Sequence, residues 1–247
     1  MGLTDLERAV AAVTKGFLPE DEAEALHAAA LVADGPFLEV GSYCGRSAVW
    51  LGAAARARGT VLFAVDHHRG SEENQAGWEW HDPEVVDLAT GRMDTLPFLR
   101  RTLAAAGLED VVIPVVGPSA IIGRAWGSAL GFLFIDGGHG EDVVRADEAA
   151  WLPHVRVGGL LAIHDVFGDL ADGGRPPYDL YRRCLASGDW NDVSATGSLR
   201  ILRRNGLNCS DPEEVVQVEG EALKERRGET VAGLELQGHV EAGRQGN

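Results

Sequence analysis

Five short runs of almost unbroken apolar residues run through the chain: PFLEV (36–40), VLFAVD (61–66), VVIPVVG (111–117), LGFLFID (130–136) and GGLLAIHD (158–165). A strand with one wet face alternates apolar and polar residues, whereas a continuous apolar strand needs cover on both faces. Helical periodicity at 46–58, 95–106, 119–127 and 142–154 lies between the runs and supplies that cover. The alternation predicts an α/β chain, Rossmann-like and doubly wound, with a mostly parallel sheet. Ligands of such sheets bind beyond the carboxyl ends of the strands. The polar residues and glycines that end each run are therefore the first candidates for function.

The remaining segments fit around this core. Two helical patterns open the chain at 4–15 and 19–33, the first with Thr4 as N-cap and Glu7 three residues on. Residues 1–35 are expected to pack as N-terminal helices on a domain spanning 36–204. Two extended runs within 192–204 meet at Thr196-Gly197 and predict a C-terminal antiparallel hairpin. Residues 205–247 are rich in glycine and glutamate with little apolar periodicity, and are expected to be a disordered tail. The connection 67–92 is far longer than an ordinary strand-to-helix loop, which marks it as an insertion that holds a ligand.

Charge and cysteine content narrow the partners. Against 22 Lys and Arg stand 38 Asp and Glu, a net charge of −16. Such a chain repels phosphate backbones, so neither nucleic acid nor an anionic membrane is expected as a partner. The three cysteines form no CxxC pair, no apolar stretch is long enough to span a bilayer, and the N-terminus carries acids early. A cytoplasmic protein is expected, and a homodimer from the general prevalence of two-fold assemblies.

The first strand leads into EVGSYCGRS, in which Gly41 permits a sharp turn and Gly45 a close helix approach. The spacing is GxxxG, without the GxGxxG of dinucleotide sites or a GxxxxGK[ST] phosphate loop. Asp66 ends the second strand, where such folds hold a ribose by its two hydroxyls. A glycine turn plus one acid describes a nucleoside site without a pyrophosphate.

These features, with VVGPSA after the third strand, resemble the class I S-adenosylmethionine-dependent methyltransferases over roughly 37–203. The segment FIDGGHGEDVVRADEAAWLPHVRVGGLLAIHDV is similar to the branch containing metal-dependent sugar and macrolide O-methyltransferases. The resemblance implies S-adenosylmethionine as cofactor, contacted by Glu39, Gly41, Ser42, Gly45, Ser47, Asp66 and Asp136, with Ser119 and Ala120 beside the adenine. It implies a divalent metal, Mg²⁺ or another, on Asp136 and Asp165, and His139 of the DGxH segment as general base. His164 stands where those relatives commonly carry a carboxylate. As a metal ligand an imidazole shifts preference towards softer ions; as a neighbour it would orient the acceptor. The acceptor implied is a small molecule or oligosaccharide hydroxyl on a sugar or glycan, with a methylated mannoside among the choices.

The insertion DHHRGSEENQAGWEWHD offers His67, His68, Arg69, Glu72, Gln75, Trp78 and Trp80, a mixture of hydrogen-bonding groups and flat indoles suited to a polyhydroxylated acceptor. A second wall is expected from the helix following Pro176-Pro177, with Tyr178, Arg182 and Arg183. Three other readings stay open: a metal-independent methyltransferase of a small hydroxylated metabolite, a metal-dependent hydroxylase or hydrolase on a related scaffold, and a non-catalytic nucleoside-binding subunit.

Overall fold

The computed structural model describes residues 2–169 and 174–206. The expected tail beyond residue 206, with Cys209, lies outside the described residues. The elements are α1 (Asp5–Val13), α2 (Glu20–Val32), β1 (Phe37–Val40), α3 (Arg46–Ala57), β2 (Leu62–Asp66), β3 (Val86–Asp87), β4 (Arg92–Met93), α4 (Leu96–Ala106), β5 (Val112–Val116), α5 (Ser119–Ala125), β6 (Leu130–Ile135), α6 (Glu141–Trp151), β7 (Val155–Ile163), α7 (Arg175–Ser187), β8 (Trp190–Thr196) and β9 (Leu199–Arg204).

Seven strands form one sheet in the order β5-β2-β1-β6-β7-β9-β8. The strands β5, β2, β1, β6 and β7 pair in parallel, and β9 runs antiparallel to both β7 and β8. This is the expected Rossmann-like sheet with its C-terminal antiparallel pair. The side-chain period of two sorts each strand between two cores. Phe37, Phe132 and Phe134 face a core shared with α1–α4, whereas Leu38, Val40, Leu133 and Leu161 face one shared with α6 and α7. Leu26 and Ala30 of α2 are fully buried in the first core, so the N-terminal helices pack on the domain through apolar stripes. Thr4 caps α1 with a complete capping box to Glu7.

Two differences from the sequence reading have plain causes. The last parallel strand starts at Val155, which pairs with Leu130, and stops at Ile163; His164 still donates its N–H to the Ile135 carbonyl, and Asp165, at φ +55°, turns the chain out of the ladder. The insertion is not one open loop: single 3-10 turns at Glu72–Asn74 and Pro83–Val85 and the small pair β3/β4 stiffen it.

Candidate active site

Four strand ends bring the chemistry together. Adjacent β1, β6 and β7 place Gly41, Asp136 and the His164-Asp165 pair side by side, with Asp66 next along on β2. Gly41 sits at φ +88°, and a Cβ there would fall 2.1 Å from the backbone carbonyl oxygen of Asp136. Only glycine lets the turn lie against the neighbouring strand end. Asp165 has φ +55°, in the left-handed region that asparagine and aspartate enter more readily than most residues. That turn swings its carboxylate back towards His139 and His164.

Glu39 follows Phe37 onto the α3 side of the sheet and is fully buried. Ser47 at the start of α3 donates to its Oε2 at 2.9 Å, while Oε1 and the Ser42 hydroxyl have no partner among the described residues. Burial, opposed by the Ser47 hydrogen bond, pushes this carboxyl up to about 8. Unpartnered buried polar atoms beside a glycine turn fit the polar end of a small ligand.

Asp66 has a different occupation from the one expected. Its Oδ2 accepts the backbone N–H of Ser42 (3.1 Å) and Tyr43 (2.9 Å), and its Oδ1 accepts that of His68 (2.7 Å). The carboxylate therefore clamps the glycine turn to the end of β2, leaving little acceptor capacity for two ribose hydroxyls. Ser119 is also engaged: its Oγ accepts the Trp151 indole N–H at 2.7 Å and hydrogen-bonds the buried Asp147, whose carboxyl burial raises. Ala120, next to it, is half-buried.

The second constellation is a chain of alternating acids and imidazoles. The Nδ1 of His164 lies 2.8 Å from Asp136 Oδ1 and 3.3 Å from Asp165 Oδ2, and its Nε2–H donates to Glu22 at 2.8 Å. The Nε2 of His139 is 2.9 Å from Asp165 Oδ2, and its Nδ1 is 3.3 Å from Glu73 Oε1. Burial opposes a proton on either ring but is outweighed by these carboxylates: His164 is pushed up to about 12 and His139 to about 10. The carboxyl of Asp165 is held well below its usual range, its burial outweighed by hydrogen bonds from both histidines.

Donor atoms of Asp136, His164 and Asp165 all lie within 4.8 Å of one another. Two ligands about 2.1 Å from one octahedral ion stand about 3.0 Å apart, and the 2.8 and 3.3 Å separations measured here bracket that distance. The donor set fits a divalent metal.

Glu22 and Glu73 were not singled out in the sequence. Glu73 had a signal, since it stands beside Glu72 in the insertion; the structure takes Glu73 to His139 and leaves Glu72 exposed. Glu22 had none, lying 142 residues from its partner. The reading of His68 as an acceptor contact is corrected: at φ +58° it turns inward, is 2 % exposed and bonds Thr95 through Nδ1 at 2.8 Å. The Gln75 amide donates to the backbone of Arg69, Gly70 and Ser71 and so braces the loop, and Arg69 reaches the Met93 carbonyl. His67 is exposed. Trp78 and Trp80 are about half exposed, and Trp80 meets Phe17 edge-on, while Phe17 also packs against Tyr43. On the second wall, Arg183 pairs with Glu148 rather than facing a ligand, and Tyr178 lies under Arg175.

Comparison with known proteins agrees with this architecture. Over residues 38–166 the chain matches a family described as a methyltransferase domain. Its fold is similar to the O-methyltransferase NovP, at 16 % identity and TM-score 0.58, over 75 % of this chain and 80 % of that one. It is also similar to the SAH-bound methyltransferase PaMTH1 of Podospora anserina (12 %, TM-score 0.57, 83 % and 90 %) and to CalS11, a calicheamicin methyltransferase (16 %, TM-score 0.53, 75 % and 80 %). With the match covering more than half its length, and a glycine turn and acid–imidazole cluster at the strand ends, the chain belongs to the methyltransferase domain family.

Proposed function

We propose that this chain transfers a methyl group from S-adenosylmethionine to a hydroxyl of a sugar or glycan, with a divalent metal and with His139 as general base. The observation that carries the reading is the convergence of Asp136, His139, His164 and Asp165 beside the Gly41 turn. The SAH bound in the similar PaMTH1 fold supports the cofactor, and the description of NovP supports an oxygen acceptor. The exposed Trp78, Trp80 and Phe17 rim supports an acceptor with flat apolar faces, as sugars have.

The reaction is an in-line displacement. The acceptor oxygen forms a bond to the methyl carbon as the carbon–sulfur bond breaks, its electron pair neutralising the sulfonium, and the acceptor's proton leaves to a base. Unpartnered Glu39 Oε1 and Ser42 Oγ would bind the polar methionine end. Asp66 holds the turn that carries it. Asp136, Asp165 and His164 would hold the metal, which when bound stabilises negative charge developing on the acceptor oxygen. The proton goes to His139 Nε2, with Glu73 accepting from Nδ1–H and so fixing the ring and its tautomer. Lying between two carboxylates, His139 carries a proton at neutral pH. Its service as a base requires that the charge of Asp165 be engaged elsewhere.

One observation favours a second reading, metal-free transfer: in the structure His164 already bridges Glu22 and Asp136, 2.8 Å from each. Calorimetric titration with S-adenosylhomocysteine in Mg²⁺, in Mn²⁺ and in chelator, followed by methyl-transfer assays on sugars and glycosides, decides between them. Saturable binding with turnover lost in chelator and restored by metal is expected. Turnover unchanged in chelator would overturn the metal and leave the second reading; absence of binding would overturn the cofactor.

A further inference from the structure

Glu22 lies on α2, far in sequence from the strand ends, yet its side chain is 6 % exposed and wholly engaged at the site. Its Oε2 takes Nε2–H of His164 at 2.8 Å; its Oε1 takes the backbone N–H of Ser198 at 2.7 Å, and the Ser198 hydroxyl lies 3.2 and 3.1 Å from the two oxygens. Ser198 belongs to the tight turn between β8 and β9. At its neighbour Gly197, with φ +52°, a Cβ would fall 2.1 Å from Glu22 Oε1. The turn thus closes around the carboxylate and leaves it one position.

That position decides which way His164 faces. With Nε2–H given to Glu22, the ring presents Nδ1 to Asp136 and Asp165, 2.8 and 3.3 Å away. A carboxylate accepting the far N–H of an imidazole is the usual partner of a metal-ligating histidine: it fixes ring and tautomer and raises ligand basicity. Two carboxylates and one imidazole form a donor set that favours transition ions such as Mn²⁺, whereas Mg²⁺ prefers oxygen alone.

We propose that Glu22 is a positioning residue that makes His164 Nδ1 a metal ligand and thereby biases the site towards Mn²⁺ over Mg²⁺. The proposal rests on the metal-assisted reading above. The test uses the full chain saturated with S-adenosylhomocysteine, calorimetric Mn²⁺ affinity, Mg²⁺ affinity by competition, and pulsed electron paramagnetic resonance of the Mn²⁺ form. Expected are tighter binding of Mn²⁺ than of Mg²⁺ and a ¹⁴N coupling from a coordinated imidazole that His164→Ala removes. Glu22→Ala should weaken Mn²⁺ by about 10- to 100-fold while changing Mg²⁺ and S-adenosylhomocysteine affinity little. Glu22→Gln, which keeps one acceptor oxygen, should fall between. Binding of both ions without ¹⁴N coupling would overturn this proposal and leave the metal reading standing. Equal loss of Mn²⁺, Mg²⁺ and S-adenosylhomocysteine binding in Glu22→Ala would reduce Glu22 to a structural contact. Binding of neither ion by the wild-type chain would overturn both.

Discussion

Replacing Glu39 by glutamine should remove a pH dependence of stability that the native chain carries below neutrality. Burial lifts this carboxyl from 4.5 to about 8. An acid whose pKa rises on folding contributes its full stability below the unfolded value and loses it as pH climbs towards the folded one. Each pH unit in that window is worth about 1.4 kcal/mol, so the roughly three units up to pH ~7.5 amount to about 4 kcal/mol as an upper bound. Glutamine has the same shape, keeps an acceptor for the Ser47 hydroxyl and does not titrate. Urea unfolding of both proteins without cofactor, at several pH values from about 5 to about 7.5, should show the stability of the variant relative to wild type climbing by about 1 kcal/mol per pH unit. A difference that stays constant over that range would refute the reasoning, because Glu39 would then be ionised or hydrated in the native protein. Under the proposed function the same slope reports the ligand. Saturating S-adenosylhomocysteine should flatten it by bringing an ammonium group to the carboxylate, while methylthioadenosine, which has none, should leave it unchanged.

Other parts of the site give independent outcomes. Gly41→Ala should destabilise by several kcal/mol, since the new Cβ lies 2.1 Å from the Asp136 carbonyl oxygen at φ +88°; a thermal midpoint equal to wild type would contradict the close approach. Asp66→Ala leaves three backbone N–H groups without their acceptor, at about 1 kcal/mol or more each, so stability and S-adenosylhomocysteine affinity should fall together; loss of affinity at unchanged stability would return Asp66 to a direct ribose contact. His139→Ala should lower turnover by about 100-fold or more with S-adenosylhomocysteine affinity nearly unchanged, and turnover equal to wild type would remove it as the base.

What could be read in the sequence, and what could not, divides along the range of the interaction. Phe37 to Val40 and Leu130 to Ile135 announce buried parallel strands because every residue in each is covered on one face or the other, a local property of the run. Their ends follow directly, so Gly41, Asp136 and Asp165 reach the sheet edge as expected. Which group each end then pairs with is fixed by elements far away in the chain, and no spacing records it. His67 and His68 look alike in sequence, yet a single positive φ turns one into the core and leaves the other in water.

The pairings are what select the chemistry. Asp66 could serve a ribose or a backbone turn with the same two oxygens, and three backbone N–H groups take it for the turn. Asp165 and Glu73 together outweigh burial and push the His139 imidazole up to about 10, so each acid brought to the ring makes its proton harder to remove. In a chain with 38 acids, the spare carboxylate is easy to find and its placement is the costly part. Glu73 from the insertion and Glu22 from the N-terminal helices each approach one imidazole from the side opposite Asp165 or Asp136. Both histidines are thereby held by carboxylates on two sides, with Asp165 shared between them and Asp136 against His164. A cation placed among those aspartates would compete with the ring protons for the same oxygens, so metal occupancy and imidazole protonation at this site must be linked.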